Sequence, residues 1–245
     1  FVGVPIGTAR DITLRALDVL ASAQVLAAED SRSLRKLMDI HGVPLEGRRI
    51  EVLHDHSSAD TAARLVEKAR DHSVAYASEA GMPGIADPGF ELARAARAAG
   101  VPVTCAPGAS AVTTALAVSG LATDAFHFAG FLPNTRQARK KALTALREVP
   151  ATLAFYESPK RLRAMLEDAS EVLGPDRQGA ICRELTKRFE ETRTNTLETL
   201  AKDLEGQSVK GEVVVLIARG DRPGVREIDI DHALVSALGT MTTKA

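Results

Sequence analysis

From Phe1 to Ser119 the chain alternates short apolar runs with segments of helical periodicity. Five runs read as strands: Phe1 to Val4, Val25 to Ala28, Ile50 to Leu53, Val74 to Ala77 and Val101 to Cys105. Between them, apolar residues recur at helical spacing, as in Leu14, Leu17 and Leu20, in Leu34, Leu37 and Met38, and in Ala62, Leu65, Val66 and Ala69. Asp11 or Thr13 can cap the first helix and Ser31 the second. Helices are also expected over Phe90 to Ala99 and Ala111 to Ser119. Parallel strands need long crossovers, and a helix supplies one. The expected class is therefore α/β, with a parallel sheet covered by helices.

In such a sheet the carboxyl ends of the strands share one edge, where ligands bind. The residues at those ends are unlike the rest of the chain. Val25 to Ala28 runs into Glu29-Asp30-Ser31-Arg32, Ile50 to Leu53 into His54-Asp55-His56, and Val101 to Cys105 into Pro107-Gly108-Ala109-Ser110. Val74 to Ala77 runs into Ser78 to Gly89, which holds three glycines, two prolines and two carboxylates in twelve residues. Backbone of that kind holds fixed, open shapes better than it packs. Glu29 to Arg32 reads either as a helix cap with a local salt bridge or as a substrate-positioning group.

Beyond Ser119 the pattern restarts. Gly120 to Asp124 reads as a linker, and the expected units are residues 1–119, residues 120–222 and a partial tail, 223–245, with one weak helix at Asp231 to Leu238. The second unit is expected to hold a mixed sheet, with strands at Phe126 to Phe131, Ala151 to Tyr156, Gln178 to Cys182 and Val213 to Ala218 and an extended arm at Arg188 to Thr194. Asn134 is placed to cap a basic helix carrying Arg136, Arg139, Lys140, Lys141 and Arg147. Pro159 suits the first turn of the helix that carries Leu162, Met165 and Leu166. Lys160, Arg161 and Arg163 follow one strand end and Arg183, Lys187 and Arg188 another, a distribution that fits a phosphate-bearing partner.

Several functions are disfavoured. The formal net charge of −1 argues against a generally basic nucleic-acid coat, so such binding must use local patches. No apolar run is long enough to span a bilayer, and a cytoplasmic protein without a membrane partner is expected. Cys105 and Cys182 read as buried free thiols. His54 and His56 share a strand face but lack a third ligand, so no metal is expected. The serine-hydrolase elbow, the P-loop and the dinucleotide glycine fingerprint are all absent.

The motifs taken together resemble one family. They are Val-Pro-Ile-Gly at 4–7, Ala-Ala-Glu-Asp-Ser-Arg at 27–32, the loop at 78–89 and Pro-Gly-Ala-Ser-Ala at 107–111. The second half adds Gly-Phe-Leu-Pro at 130–133, Phe-Tyr-Glu-Ser-Pro-Lys-Arg at 155–161, Arg-Glu-Leu-Thr-Lys-Arg-Phe-Glu-Glu at 183–191 and Lys-Gly-Glu-Val-Val at 210–214. The chain resembles the bacterial small-subunit ribosomal RNA cytidine 2′-O-methyltransferases of the tetrapyrrole methylase superfamily. The resemblance implies two α/β domains with S-adenosylmethionine in the cleft between them, a homodimer, and small-subunit ribosomal RNA as partner. It implies that Glu79, Ala80, Met82, Ile85, Asp87, Ser110 and Ala111 line the cofactor site from one domain, and Tyr156, Leu185, Thr186 and Glu212 from the other. The family usually carries Asp, Thr and Ser where this chain has Glu79, Met82 and Ala86.

Methyl transfer to a ribose hydroxyl needs the oxygen in line with the methyl group, and its proton must leave. The groups expected near the cleft are Glu29, Asp30, His56 and Glu157 as bases, with Arg32, Lys160 and Lys187 as electrostatic partners. Asp30, Arg32, Glu157 and Lys187 are the catalytic candidates. A small tetrapyrrole-like substrate, or a non-catalytic RNA-binding role, is the alternative.

Overall fold

A computed structural model describes residues 1–54 and 59–220. The expected helix at 231–238, the 223–245 tail and residues 55 and 56 of the His-Asp-His stretch lie outside the described residues.

The described residues form two sheets. The first is parallel, in the order β2 (Ile50–Val52), β1 (Val25–Ala28), β3 (Val74–Ala77). Helices α1 (Leu14–Ser22), α2 (Ser31–Ile40), α3 (Ala59–Lys68) and α4 (Gly89–Ala98) supply the connections. Two of the five expected strands are not full strands. Phe1 to Val4 and Val101 to Cys105 yield isolated parallel bridges, Val2 to Ala77 and Val2 to Ala106. The close approach of Gly3 to Gly108 explains the interruption, since a Cβ on Gly3 would lie 2.6 Å from the Gly108 nitrogen. Here the chain exchanges regular pairing for direct backbone contact.

The caps follow side-chain chemistry. Thr13 accepts from the Ala16 N–H at 3.2 Å and starts α1. The cap of α2 is Asp30 rather than Ser31, because the Asp30 carboxylate reaches the Arg32 N–H at 2.8 Å.

The second sheet is mixed, ordered β4 (Phe126–Phe131), β5 (Thr152–Glu157), β8 (Val213–Ile217), β6 (Gln178–Arg183), β7 (Glu191–Thr196). The β4–β5 pair is parallel and the others are antiparallel. Central β8, with five consecutive aliphatic residues, is buried throughout, as a strand covered on both faces must be. One face packs on α6 (Arg136–Leu146), α7 (Leu162–Leu173) and α8 (Leu197–Asp203) through Leu143, Leu153, Phe155, Met165, Leu166 and Leu197. The other face packs on α5 (Ala111–Ser119), where Val112, Ala115 and Leu116 meet Ala154, Ala180, Val214 and Leu216. The last helix of the first half thus seats against the second sheet and ties the halves together.

The basic helix α6 is only partly a solvated face. Arg139 is buried and its guanidinium meets Asp168 of α7 at 2.7 Å, while Arg136 reaches the other Asp168 oxygen at 3.0 Å. Lys140 pairs with Glu171. Asn134 is not the cap, a position taken by Thr135; its side-chain oxygen accepts instead from Arg161. Pro159 sits ahead of α7, whose cap is Arg161.

Candidate active site

A cavity of about 450 Å³ lies between the two sheets, within the range of a small-molecule site. Five strand ends and one strand start build it. The end of β1 contributes Glu29. The loop after β3 contributes Glu79, Ala80, Gly81, Met82, Ile85, Ala86 and Asp87. The second sheet contributes Phe131 from β4, Tyr156 to Pro159 from β5, Cys182 and Leu185 from β6, and Gly211 to Val214 entering β8. Ile6, Ser110 and Ala111 complete the wall.

The loop at 78–89 holds its shape through Asp87. The Gly84 N–H donates to both Asp87 oxygens at 2.8 and 2.9 Å, and the Gly89 N–H donates to one of them at 2.6 Å. This permits positive φ at Gly81, Gly84 and Ala86, the last an unusual left-handed alanine. Met82 turns away from solvent to the Gly3–Gly108 contact, where its thioether sulfur accepts from the Gly108 N–H at 3.1 Å. The Glu79 N–H donates to the Glu29 carboxylate at 2.9 Å and so joins two strand ends.

The opposite wall is held just as firmly. Glu157 is buried, accepting from the Ser158 N–H at 2.6 Å and from Arg161 at 2.9 Å. Lys187 bridges Glu184 and Glu212, each at 2.9 Å. Burial works against the Lys187 ammonium, but hydrogen bonds to Glu212 and Glu184 outweigh it and its pKa is raised. The Glu212 N–H, with help from Lys187, holds the Glu184 carboxyl below its ordinary value. Burial pushes the Tyr156 phenol up, and the carboxylates of Asp87 and Glu212 add to the shift, so the phenol stays neutral. Across the cleft Thr8 and Thr186 exchange two hydrogen bonds: the Thr8 N–H donates to the Thr186 hydroxyl at 3.1 Å, and the Thr8 hydroxyl donates to the Thr186 carbonyl.

Ten of the eleven residues expected to line a cofactor site do line this cavity; Thr186 instead pins the two halves at its edge. Of the catalytic candidates, Glu157 lines it while Asp30, Arg32 and Lys187 do not. The Asp30 carboxylate is turned into the start of α2 and its hydrogen bond with Arg32, which also holds its pKa down; the Arg32 side chain is 90% exposed. Ile6, Phe131, Cys182, Val213 and Val214 were not expected. Phe131, Cys182, Val213 and Val214 come from apolar strand positions and Ile6 from the bend after Val4, none of which sequence can tell from ordinary core. Burial raises the pKa of the Cys182 thiol, so it behaves as an apolar group.

Among the described residues the lining carries five carboxylates, Glu29, Glu79, Asp87, Glu157 and Glu212, and no lysine or arginine. Apolar walls with acidic groups favour a ligand that is part hydrophobic and part cationic. Among the described residues no three His, Cys, Asp or Glu side chains come together as a metal site.

The profile of the tetrapyrrole (corrin/porphyrin) methylases matches residues 1–201. The chain belongs to this family. The ribosomal RNA small subunit methyltransferase I of Mesorhizobium japonicum is 44% identical over 242 residues, covering 98% of this chain and 81% of that protein. The protein of the same name from Mycobacterium tuberculosis is 44% identical over 214 residues, covering 87% and 75%. Among solved structures, the methyltransferase CobJ superposes with a TM-score of 0.67 at 22% identity over 91% of this chain and 95% of that one. Diphthine synthase does so with a TM-score of 0.68 at 19% identity over 89% and 88%. At those identities the likeness is one of fold, and it matches the parallel first sheet and mixed second sheet described above. Among the described residues no helix is long and apolar enough to cross a membrane.

Proposed function

We propose that the chain is an S-adenosylmethionine-dependent methyltransferase that acts on the 2′-oxygen of a cytidine ribose in small-subunit ribosomal RNA, as a cytoplasmic homodimer. The observation that carries the cofactor reading is the acidic lining of a cavity between the sheets, which holds no lysine or arginine among the described residues. The cofactor bears a sulfonium and an ammonium, and the carboxylates suit both. The relatives' names carry the RNA reading. When bound, the cofactor supplies an electrophilic methyl group.

The residues of the chain do the rest. Asp87 holds the glycine-rich loop as a cradle, with Ala80, Met82 and Ile85 on its inner side. Ser110 and Ala111 open α5 at the cavity floor, where helix N–H groups point outward. Tyr156 and Leu185 cover the apolar part, and the Thr8–Thr186 pair joins the halves at the edge of the cavity. Of the expected bases, Glu29 is the carboxylate suited to take the ribose proton. It lines the cavity, whereas Asp30 caps a helix and Glu157 is bound to Arg161. Exposed Phe126, on edge strand β4, supports a dimer contact.

The deciding experiment is transfer of tritiated methyl from S-adenosylmethionine to purified small ribosomal subunits, with porphyrinoid substrates in parallel. Label in a ribose 2′-O position of the RNA is expected. Label in the porphyrinoid alone would reverse the substrate assignment. Light scattering should give twice the chain mass.

A further inference from the structure

Phe131 occupies its place against the expected alternation of strand β4. The register with β5 pairs Phe126 with Thr152, His127 with Leu153 and Phe128 with Ala154, then jumps to Phe131 with Tyr156. Three residues of β4 therefore oppose two of β5, a one-residue bulge. Gly130 absorbs it with φ of +65°, which suits a residue without a Cβ. In a regular strand Phe128 and Phe131 would point to opposite faces. The bulge puts both on the face of Tyr156, with ring centroids 4.9 and 5.6 Å from it, while Ala129 packs into the core on the other side.

The outcome is an aromatic cluster with one open member. Part-buried Tyr156 backs the Phe131 ring and is itself packed by part-buried Phe128, while Phe131 remains 59% exposed on the cavity wall. Among the described lining residues the other large exposed apolar side chain is Ile85, which comes from the opposite half of the molecule. A bulge that turns a phenylalanine out of register and into solvent gains nothing for the core. A rigid ring beside a methyl-transfer cavity is what an unstacked base requires, because every base has a π face. Exposed Lys160 follows Pro159 of the same wall and offers a cation for a backbone phosphate.

We propose that Phe131 is the platform on which the base of the target nucleotide stacks while its ribose faces the cavity. The proposal rests on the RNA reading above. Stacking of this kind changes affinity by about 5- to 150-fold.

The test compares Phe131→Leu, which keeps apolar volume but has no π face, with Phe131→Tyr. Four quantities are measured: kcat/KM on small ribosomal subunits, filter binding of small-subunit RNA without cofactor, calorimetric affinity for S-adenosylmethionine, and mass by light scattering. For Phe131→Leu, kcat/KM and RNA affinity should fall within that range, with cofactor affinity and mass unchanged. Phe131→Tyr should stay within threefold of wild type. Stacking is overturned if Phe131→Leu matches wild type on RNA. It is equally overturned if cofactor affinity falls in parallel, placing the ring on the cofactor; if the dimer is lost; or if Phe131→Tyr is damaged as badly as Phe131→Leu. Wild-type protein that labels no RNA would instead overturn the RNA reading itself.

Discussion

Gly7 lies where the two halves of the molecule touch, and a single added methyl group there should open the cleft. A Cβ on Gly7 would stand 2.5 Å from Lys187 Cγ, 2.7 Å from Thr186 Oγ1 and 3.1 Å from the Leu185 carbonyl oxygen. The Lys187 stem cannot swing aside freely, because its ammonium is held by both Glu184 and Glu212. In Gly7→Ala the segment 185–187 must therefore move away. That breaks the two Thr8–Thr186 hydrogen bonds, worth about 1 kcal/mol each, and withdraws Leu185 from the cavity wall. A loss of about 2 kcal/mol of closure corresponds to roughly 30-fold weaker cofactor binding. Calorimetry with S-adenosylmethionine measures it directly. Adding Lys187→Ala should recover part of the loss, since it removes the nearest clashing atom, and the double-mutant cycle should show a coupling of about 1 kcal/mol. Cofactor affinity within twofold of wild type in Gly7→Ala would refute the idea that this contact closes the site.

Other substitutions probe the remaining parts. Glu29→Gln keeps an acceptor for the Glu79 N–H but cannot take a proton, so kcat should fall by about 10²- to 10⁴-fold with cofactor affinity retained; an unchanged kcat would remove Glu29 from the chemistry. Asp87→Ala leaves the Gly84 and Gly89 N–H groups without their carboxylate and should weaken cofactor binding about tenfold, read by the same calorimetry. Asp168→Ala strands buried Arg139 and should lower stability by about 3–5 kcal/mol in urea titration. The carboxyl of Glu184 is held low, first by the Glu212 N–H, and that of Glu191, first by Arg193. Both therefore favour the folded state above the ordinary glutamate pKa, and that contribution is lost as pH falls through their lowered values. The acid limb of thermal stability against pH should be shallower in Glu184→Gln.

Much of the fold was legible because it is written in local pattern. Leu14, Leu17 and Leu20, or the aliphatic run Val213 to Ile217, declare a helix and a buried strand without reference to anything distant. The loop at 78–89 was legible for the same reason, since glycine and proline act on their own backbone. Elements failed where a distant neighbour decided. Phe1 to Val4 and Val101 to Cys105 have strand composition, but the Gly3–Gly108 contact reduces them to bridges. The sequence shows α6 as a basic helix, but only packing places Asp168 and Glu171 of another helix beside Arg136, Arg139 and Lys140.

The same division runs through the site. Sequence alone determined which segments reach the ligand edge, because strand ends and turn residues are local properties, and the family resemblance named most of the lining. Tertiary structure decided what each charged or aromatic group does there. Asp30 became a helix cap, Glu157 a partner for Arg161, Lys187 a clamp between Glu184 and Glu212, and Phe131 an outward ring turned by a bulge. A carboxylate or an ammonium takes its role from whichever opposite charge or N–H lies within about 3 Å, and that neighbour is set by packing between elements far apart in the chain.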